Sequence, residues 1–194
     1  MKKYGFDGVE TILNEWNYVK GWVGDDWKYT LSCERGLKGS SFIASAMALC
    51  QYSPLDMLMY YDARPCAMNG LFKMDSPWIC LKGYYPFCMF NELYRLGSAV
   101  EVNNTDNVYA VAAKRDSDAA VMLSYYDEEE KEPQKSICLS FAGLEGDYKA
   151  EIYLLDEDND NILIKEDYLS AGNSTIHLTM PLFSTVFVKL VKCT

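Results

Sequence analysis

The run Leu13-Asn14-Glu15-Trp16-Asn17-Tyr18 sets one carboxylate between amides and aromatic rings. These side chains suit a sugar. A carboxylate can attack an anomeric carbon, an amide can bond a hydroxyl, and a flat ring can stack on a pyranose face. Val9 to Ile12 reads as a short apolar strand, so Glu15 emerges at a strand's C-terminal end, where a parallel α/β barrel keeps its chemistry. The plain alternative is a solvated loop carboxylate. Asn17 either bonds a sugar hydroxyl or caps the loop.

A second carboxylate, Asp62, follows the apolar run Asp56–Tyr61 and lies two residues before Arg64. It could partner Glu15, shape a pocket, or pair with Arg64. Trp16, Trp22, Trp27 and Trp78 all fall in loops or strand ends of the first half. Core packing is the default for any single tryptophan, but four near one cleft suggest at least one sugar-stacking platform. Tyr18, Tyr60 and Tyr61 are harder to tell from core filler.

Composition removes several classes of function. With 28 acidic against 18 basic side chains the formal charge is -10, and a phosphate backbone would be repelled. No nucleic-acid partner is expected. The seven cysteines are irregularly spaced without a C-x-x-C pair, which argues against a disulfide scaffold or zinc site and points to the cytoplasm. Neither a secretory leader nor a membrane-spanning run is visible, so no membrane partner is expected. The single histidine, His177, falls on the outward face of an alternating strand, and its isolation counts against histidine metal sites and Ser-His nucleophiles. Gly5-Phe6-Asp7-Gly8 and Gly21-Trp22-Val23-Gly24 lack phosphate-cradle spacing. Asp156-Glu157-Asp158-Asn159-Asp160-Asn161 partly matches a calcium loop, but its flanks read as strands and a solvated hairpin turn is the simpler reading. No cofactor or metal is called for.

Positioning these residues requires two kinds of architecture. Residues 1–97 read as strand, Gly/Trp-rich loop, helix over Ser40–Gln51 capped by Ser40 or Ser41, buried strand over Asp56–Tyr61, loop, and helix over Tyr84–Leu96. That is the βα grammar of a parallel sheet. Residues 98–194 read as seven short alternating strands: Val108–Lys114, Ala119–Tyr126, Ser136–Phe141, Tyr148–Leu155, Ile162–Lys165, Thr175–Met180 and Thr185–Val191. They predict an antiparallel β-sandwich, with Asp127–Glu132 as a solvated hairpin loop. The fold class is α/β plus all-β.

The layout resembles the C-terminal part of a family 39 glycoside hydrolase, the β-xylosidase and α-iduronidase group. The motifs are Asn14-Glu15-Trp16-Asn17, Asn69-Gly70, and the turn Leu155-Asp156-Glu157 through Asn161. The resemblance implies the last two βα units of a (β/α)8 barrel followed by a β-sandwich, and a carbohydrate substrate. It maps the catalytic nucleophile of a retaining glycosidase onto Glu15, with Asn14, Trp16, Asn17, Tyr18, Tyr61, Asp62, Arg64 and Trp78 around the sugar. The family's acid/base belongs to an earlier strand, so the isolated chain is expected to show little hydrolysis. Open strand edges imply self-association (a homo-oligomer) or pairing with the missing N-terminal barrel half. The alternative is a non-catalytic carbohydrate-binding or structural fragment.

Overall fold

The computed structural model describes residues 2–5, 8–66 and 70–193. Strand β1 (Ile12–Trp16) runs parallel to β2 (Met57–Tyr60), and helices α1 (Gly24–Arg35) and α2 (Leu37–Cys50) connect them. After β2 a loop leads to α3 (Tyr85–Leu96). The chain then enters a six-stranded antiparallel sheet of order β3-β4-β5-β10-β7-β8: β3 Ser98–Val100, β4 Val108–Arg115, β5 Asp118–Tyr125, β7 Tyr148–Leu155, β8 Asp160–Leu169 and β10 Thr185–Lys192. A two-stranded sheet, β6 (Gln134–Ser140) with β9 (Thr175–Pro181), packs on its inner face.

The layers follow from where apolar side chains fall. Val108, Ala110, Val121, Leu123, Ile152, Val186, Val188 and Leu190 form the inner face of the large sheet and meet Ile176 and Met180 of β9. The opposite face, with Val111, Ala113, Ala120, Met122 and Phe187, packs on Ala44 and Ala48 of α2 and on Met89 and Leu93 of α3. Ile43 and Met47 of α2 turn the other way, toward Trp16, Tyr60, Phe87 and Phe90. Helix α2 is therefore buried on two sides. Its many small residues permit this, because alanine and serine let backbones approach closely.

The seven strands expected beyond residue 98 are present, and β3 is an eighth that three residues were too few to announce. Five readings need correction, four of them in the first half. Strand β1 begins at Ile12 rather than Val9, so Glu15 lies within it and not beyond its end. The expected Gly21–Trp27 loop gives way at Gly24 to α1, whose Asp25 and Asp26 in the first turn and Arg35 in the last complement the helix dipole. Helix α2 begins at Leu37, so Ser40 and Ser41 are not caps. Both are buried inside the helix, donating to the carbonyls of Lys82 (3.0 Å) and Lys38 (3.1 Å). Strand β2 is half exposed rather than buried, because one face of the β1–β2 pair is uncovered: Met57 and Met59 are 45% and 49% exposed. The acidic segment after β5 joins two different sheets and is not a hairpin.

That segment is not simply solvated either. Lys38 of α2 is only 7% exposed, and its Nζ lies 2.8 Å from Glu130 Oε1, 3.4 Å from Glu128 Oε2 and 2.9 Å from Tyr29 Oη. Burial lowers the lysine's affinity for its proton, but hydrogen bonds to Glu130 and Tyr29 and the glutamate charges outweigh it and hold the ammonium form. One lysine thus ties the helices to the sandwich.

The Asp156–Asn159 turn is the hairpin between β7 and β8. Asp156 Oδ1 accepts from the backbone N–H groups of Asp158 (3.1 Å) and Asn159 (2.9 Å), an Asx-type turn. Lys82 Nζ donates to the carbonyls of Asp156 (2.6 Å) and Glu157 (3.0 Å) and pairs with Asp160 (2.8 Å). An ammonium thus meets backbone carbonyls of the turn and one of its carboxylates. His177 lies exposed on β9 between buried Ile176 and half-buried Leu178. No helix among the described residues is long and apolar enough to cross a membrane.

Candidate active site

The C-terminal ends of β1 and β2 bring most of the expected residues together. The register pairs Leu13 with Leu58 and Trp16 with Tyr60, so Asn14 and Glu15 oppose Met59 alone. This is a β-bulge, a device that re-aims a side chain beside a site. Both Asn14 and Glu15 are exposed, and among the described residues no hydrogen bond or ion pair holds the Glu15 carboxylate. It is free to meet a ligand.

The two strand ends are bonded to each other. The Tyr61 N–H donates to the Trp16 carbonyl (3.0 Å), and Asn17 Nδ2 donates to the Tyr61 carbonyl (2.6 Å). Asn17 therefore spends one amide hydrogen on the scaffold. Asp62 is engaged with its neighbours: Oδ2 accepts from Arg64 Nε (3.1 Å) and Nη2 (2.9 Å), and Oδ1 from the Arg64 backbone N–H (3.0 Å). Of the three roles open to Asp62, the Arg64 pair is the one the geometry displays. A carboxylate so occupied is a poor proton donor.

Two residues from the same motif go elsewhere. Trp16 packs into the helical core, edge-on to Tyr60 at 5.4 Å and near Phe42 at 6.3 Å, with its indole N–H buried and unpaired. Tyr18 is buried and donates to Glu128 Oε1 at 3.0 Å. Burial, that bond and the glutamate's charge push its hydroxyl pKa far up. Trp78 stands 80% exposed in the loop after β2. Asn69 lies outside the described residues, while Gly70 is buried against the end of α1.

Sequence reasoning missed Glu34. It lies in the last turn of α1, 1% exposed, with neither carboxylate oxygen hydrogen-bonded. Burial lifts its pKa to about 7; Arg35 opposes the shift and Asp62 adds to it. Its backbone is held tightly. A Cβ on Gly39 would fall 2.4 Å from the Cys33 carbonyl oxygen and 2.8 Å from Glu34 Cα. Burial of Tyr60, reinforced by the Glu34 charge, raises that hydroxyl's pKa as well. Nothing in Cys33-Glu34-Arg35 announces this, since a charged residue near a helix end normally faces water.

No protein-family model and no curated protein sequence matches the chain. Solved structures do match. A GH30 endoxylanase from Clostridium papyrosolvens C71 aligns with 97% of this chain and 43% of its own, at 14% identity and a TM-score of 0.65. A GH39 enzyme from Xanthomonas axonopodis pv. citri aligns over 97% and 46% (9% identity, TM-score 0.66). A monomeric β-xylosidase from Caulobacter crescentus CB15 aligns over 97% and 47% (13% identity, TM-score 0.72). At such identities the likeness is one of fold. The chain spans less than half the length of these structures, and the structural neighbours are glycoside hydrolases of several families, family 39 among them.

Proposed function

We propose that this chain is the part of a retaining glycoside hydrolase, β-xylosidase-like and of family 39, that carries the last two βα units of a (β/α)8 barrel and the sandwich behind them. Glu15 is the nucleophile. The observation that carries this reading is an unpaired, exposed carboxylate set in a bulge at the C-terminal end of a parallel strand, in a fold shared almost end to end with glycoside hydrolases. Asn14, Asn17, Tyr61, the Asp62–Arg64 pair and Trp78 surround the sugar. Trp16 and Tyr18 support that surround from behind.

In the reaction, Glu15 attacks the anomeric carbon and a second carboxyl protonates the leaving oxygen. Water then releases the sugar. The two carboxyls of a retaining enzyme stand roughly 5–5.5 Å apart. Asp62 is tied to Arg64 and Glu34 is enclosed, so neither is placed to be the acid, and the chain alone should not turn over. The acid comes from other strands. Ile12, Leu13, Met57 and Met59 are exposed on a two-stranded sheet, which supports docking of those strands or, in their absence, of a second copy.

The test is hydrolysis of an aryl β-xyloside with and without a co-expressed chain supplying the first six strands. The expected result is background turnover alone and activity in the complex that Glu15→Gln abolishes. Turnover by the chain alone, or a complex indifferent to Glu15→Gln, overturns the reading.

A further inference from the structure

The loop after β1 and the first turn of α1 carry a feature that neither the fold nor the Glu15 chemistry uses. Trp22 and Trp27 stack at 5.8 Å between ring centroids with 22° between planes, and Trp22 remains 62% exposed. Leaving a large apolar ring in water is unfavourable.

The stack is held in place from below. The hydroxyl of Thr30, fully buried, lies 3.0 Å from the Lys20 N–H, 3.3 Å from the Gly21 N–H and 3.3 Å from the Gly21 carbonyl oxygen. It clamps the turn that presents Trp22 onto α1. Gly21 is itself pressed on that helix, since a Cβ there would fall 2.8 Å from Asp26 Cβ. The ring pair is thus preorganised and loses little freedom when something settles on it. Charged groups flank the two tryptophans in sequence: Lys20 pairs with Asp26 at 3.6 Å, and Lys28 with Asp25 at 2.9 Å, all of them exposed.

We propose that the Trp22–Trp27 stack is a carbohydrate-binding platform, a subsite for a sugar unit beyond the one that meets Glu15. A pyranose ring offers a flat face of C–H groups that packs on an indole, and a rim of hydroxyls that the Asp25, Asp26 and Lys20 groups can bond. The stacked indole surface, held by Thr30, matches that flat face. Trp22 follows Glu15 in the segment that leaves the C-terminal end of β1. This rests on the carbohydrate reading of the site.

The experiment titrates the protein with β-1,4-xylotetraose, and separately with cellotetraose and maltotetraose, followed by calorimetry and tryptophan fluorescence. A saturable signal with at least one of them is expected. Trp22→Ala should weaken it by about tenfold or more, the loss of one good stacking contact, while Trp22→Tyr recovers part. His177→Ala, an exposed position on β9 of the sandwich, should bind as the parent does. No saturable binding to any of the three, or Trp22→Ala binding like the parent, overturns the platform. Labelling of Glu15 by a 2-deoxy-2-fluoro-β-xyloside in the complemented protein, without Trp22-dependent binding, refutes the platform alone; Trp22-dependent binding without that label refutes the nucleophile alone.

Discussion

Replacing Glu34 by glutamine should change how stability depends on pH, and the size of the change follows from the site. The carboxyl is 1% exposed, lacks a hydrogen-bond partner, and has a pKa of about 7 in the fold against 4.5 for the ordinary group. Between those values the folded protein keeps a proton that the unfolded chain has released. Stability therefore falls as pH rises through that window, by about 1.4 kcal/mol per unit. The shift amounts to about 3 kcal/mol as an upper bound, since structural relaxation lessens the penalty of a buried charge. Glutamine has nearly the same shape and cannot ionise. The variant and parent should match near pH 4, and the variant should gain steadily to about 3 kcal/mol at pH 8. For a chain of this size that is roughly 6–12 °C in Tm. Urea unfolding of both proteins at four pH values supplies the difference curve, in which all other titrating groups cancel. A constant offset across that range would refute the buried, unpaired carboxyl.

Further outcomes follow from the same contacts. Lys38→Met should cost on the order of 2 kcal/mol in urea unfolding, less than the roughly 3–5 of a fully enclosed pair because Glu128 and Glu130 are half exposed. Gly39→Ala should destabilise by at least about 1–3 kcal/mol, since its methyl meets the backbone of Cys33 and Glu34 and neither can yield easily; an unchanged Tm would contradict that packing. Millimolar calcium should leave Tm unmoved, because Lys82 already meets the oxygens of the Asp156–Asp160 turn; a calcium-dependent rise removed by Asp158→Ala would argue otherwise. Glu15→Gln should alter stability by less than about 0.5 kcal/mol, as expected of an exposed side chain without partners.

The sandwich was legible because its strands obey a period of two that burial enforces: Val186 and Val188 point into one face, Phe187 into the other. The parallel pair was legible from short apolar runs separated by a small-residue helix. Helix α1 was not, because Gly21 and Gly24 resemble loop punctuation and Gly24–Arg35 carries no continuous apolar stripe. Glu15 could be singled out from its neighbours in sequence, but the bulge in which it sits depends on pairing with β2. The same holds for Trp16 and Tyr18. Both sit in the motif, yet long-range contacts with Tyr60 and Glu128 turn them inward. Glu34 and Lys38 were invisible for a shared reason: charged side chains become buried only when partners distant in sequence enclose them.

The most direct measurement is covalent trapping. The protein, complemented with a chain supplying the first six strands, is incubated with dinitrophenyl 2-deoxy-2-fluoro-β-xyloside and digested for mass spectrometry. Its leaving group departs without protonation, and the fluorine slows release of the intermediate. The account predicts one xylosyl adduct, on Glu15, absent in Glu15→Gln. An adduct on another carboxylate, or none while the complex hydrolyses xyloside, would contradict it.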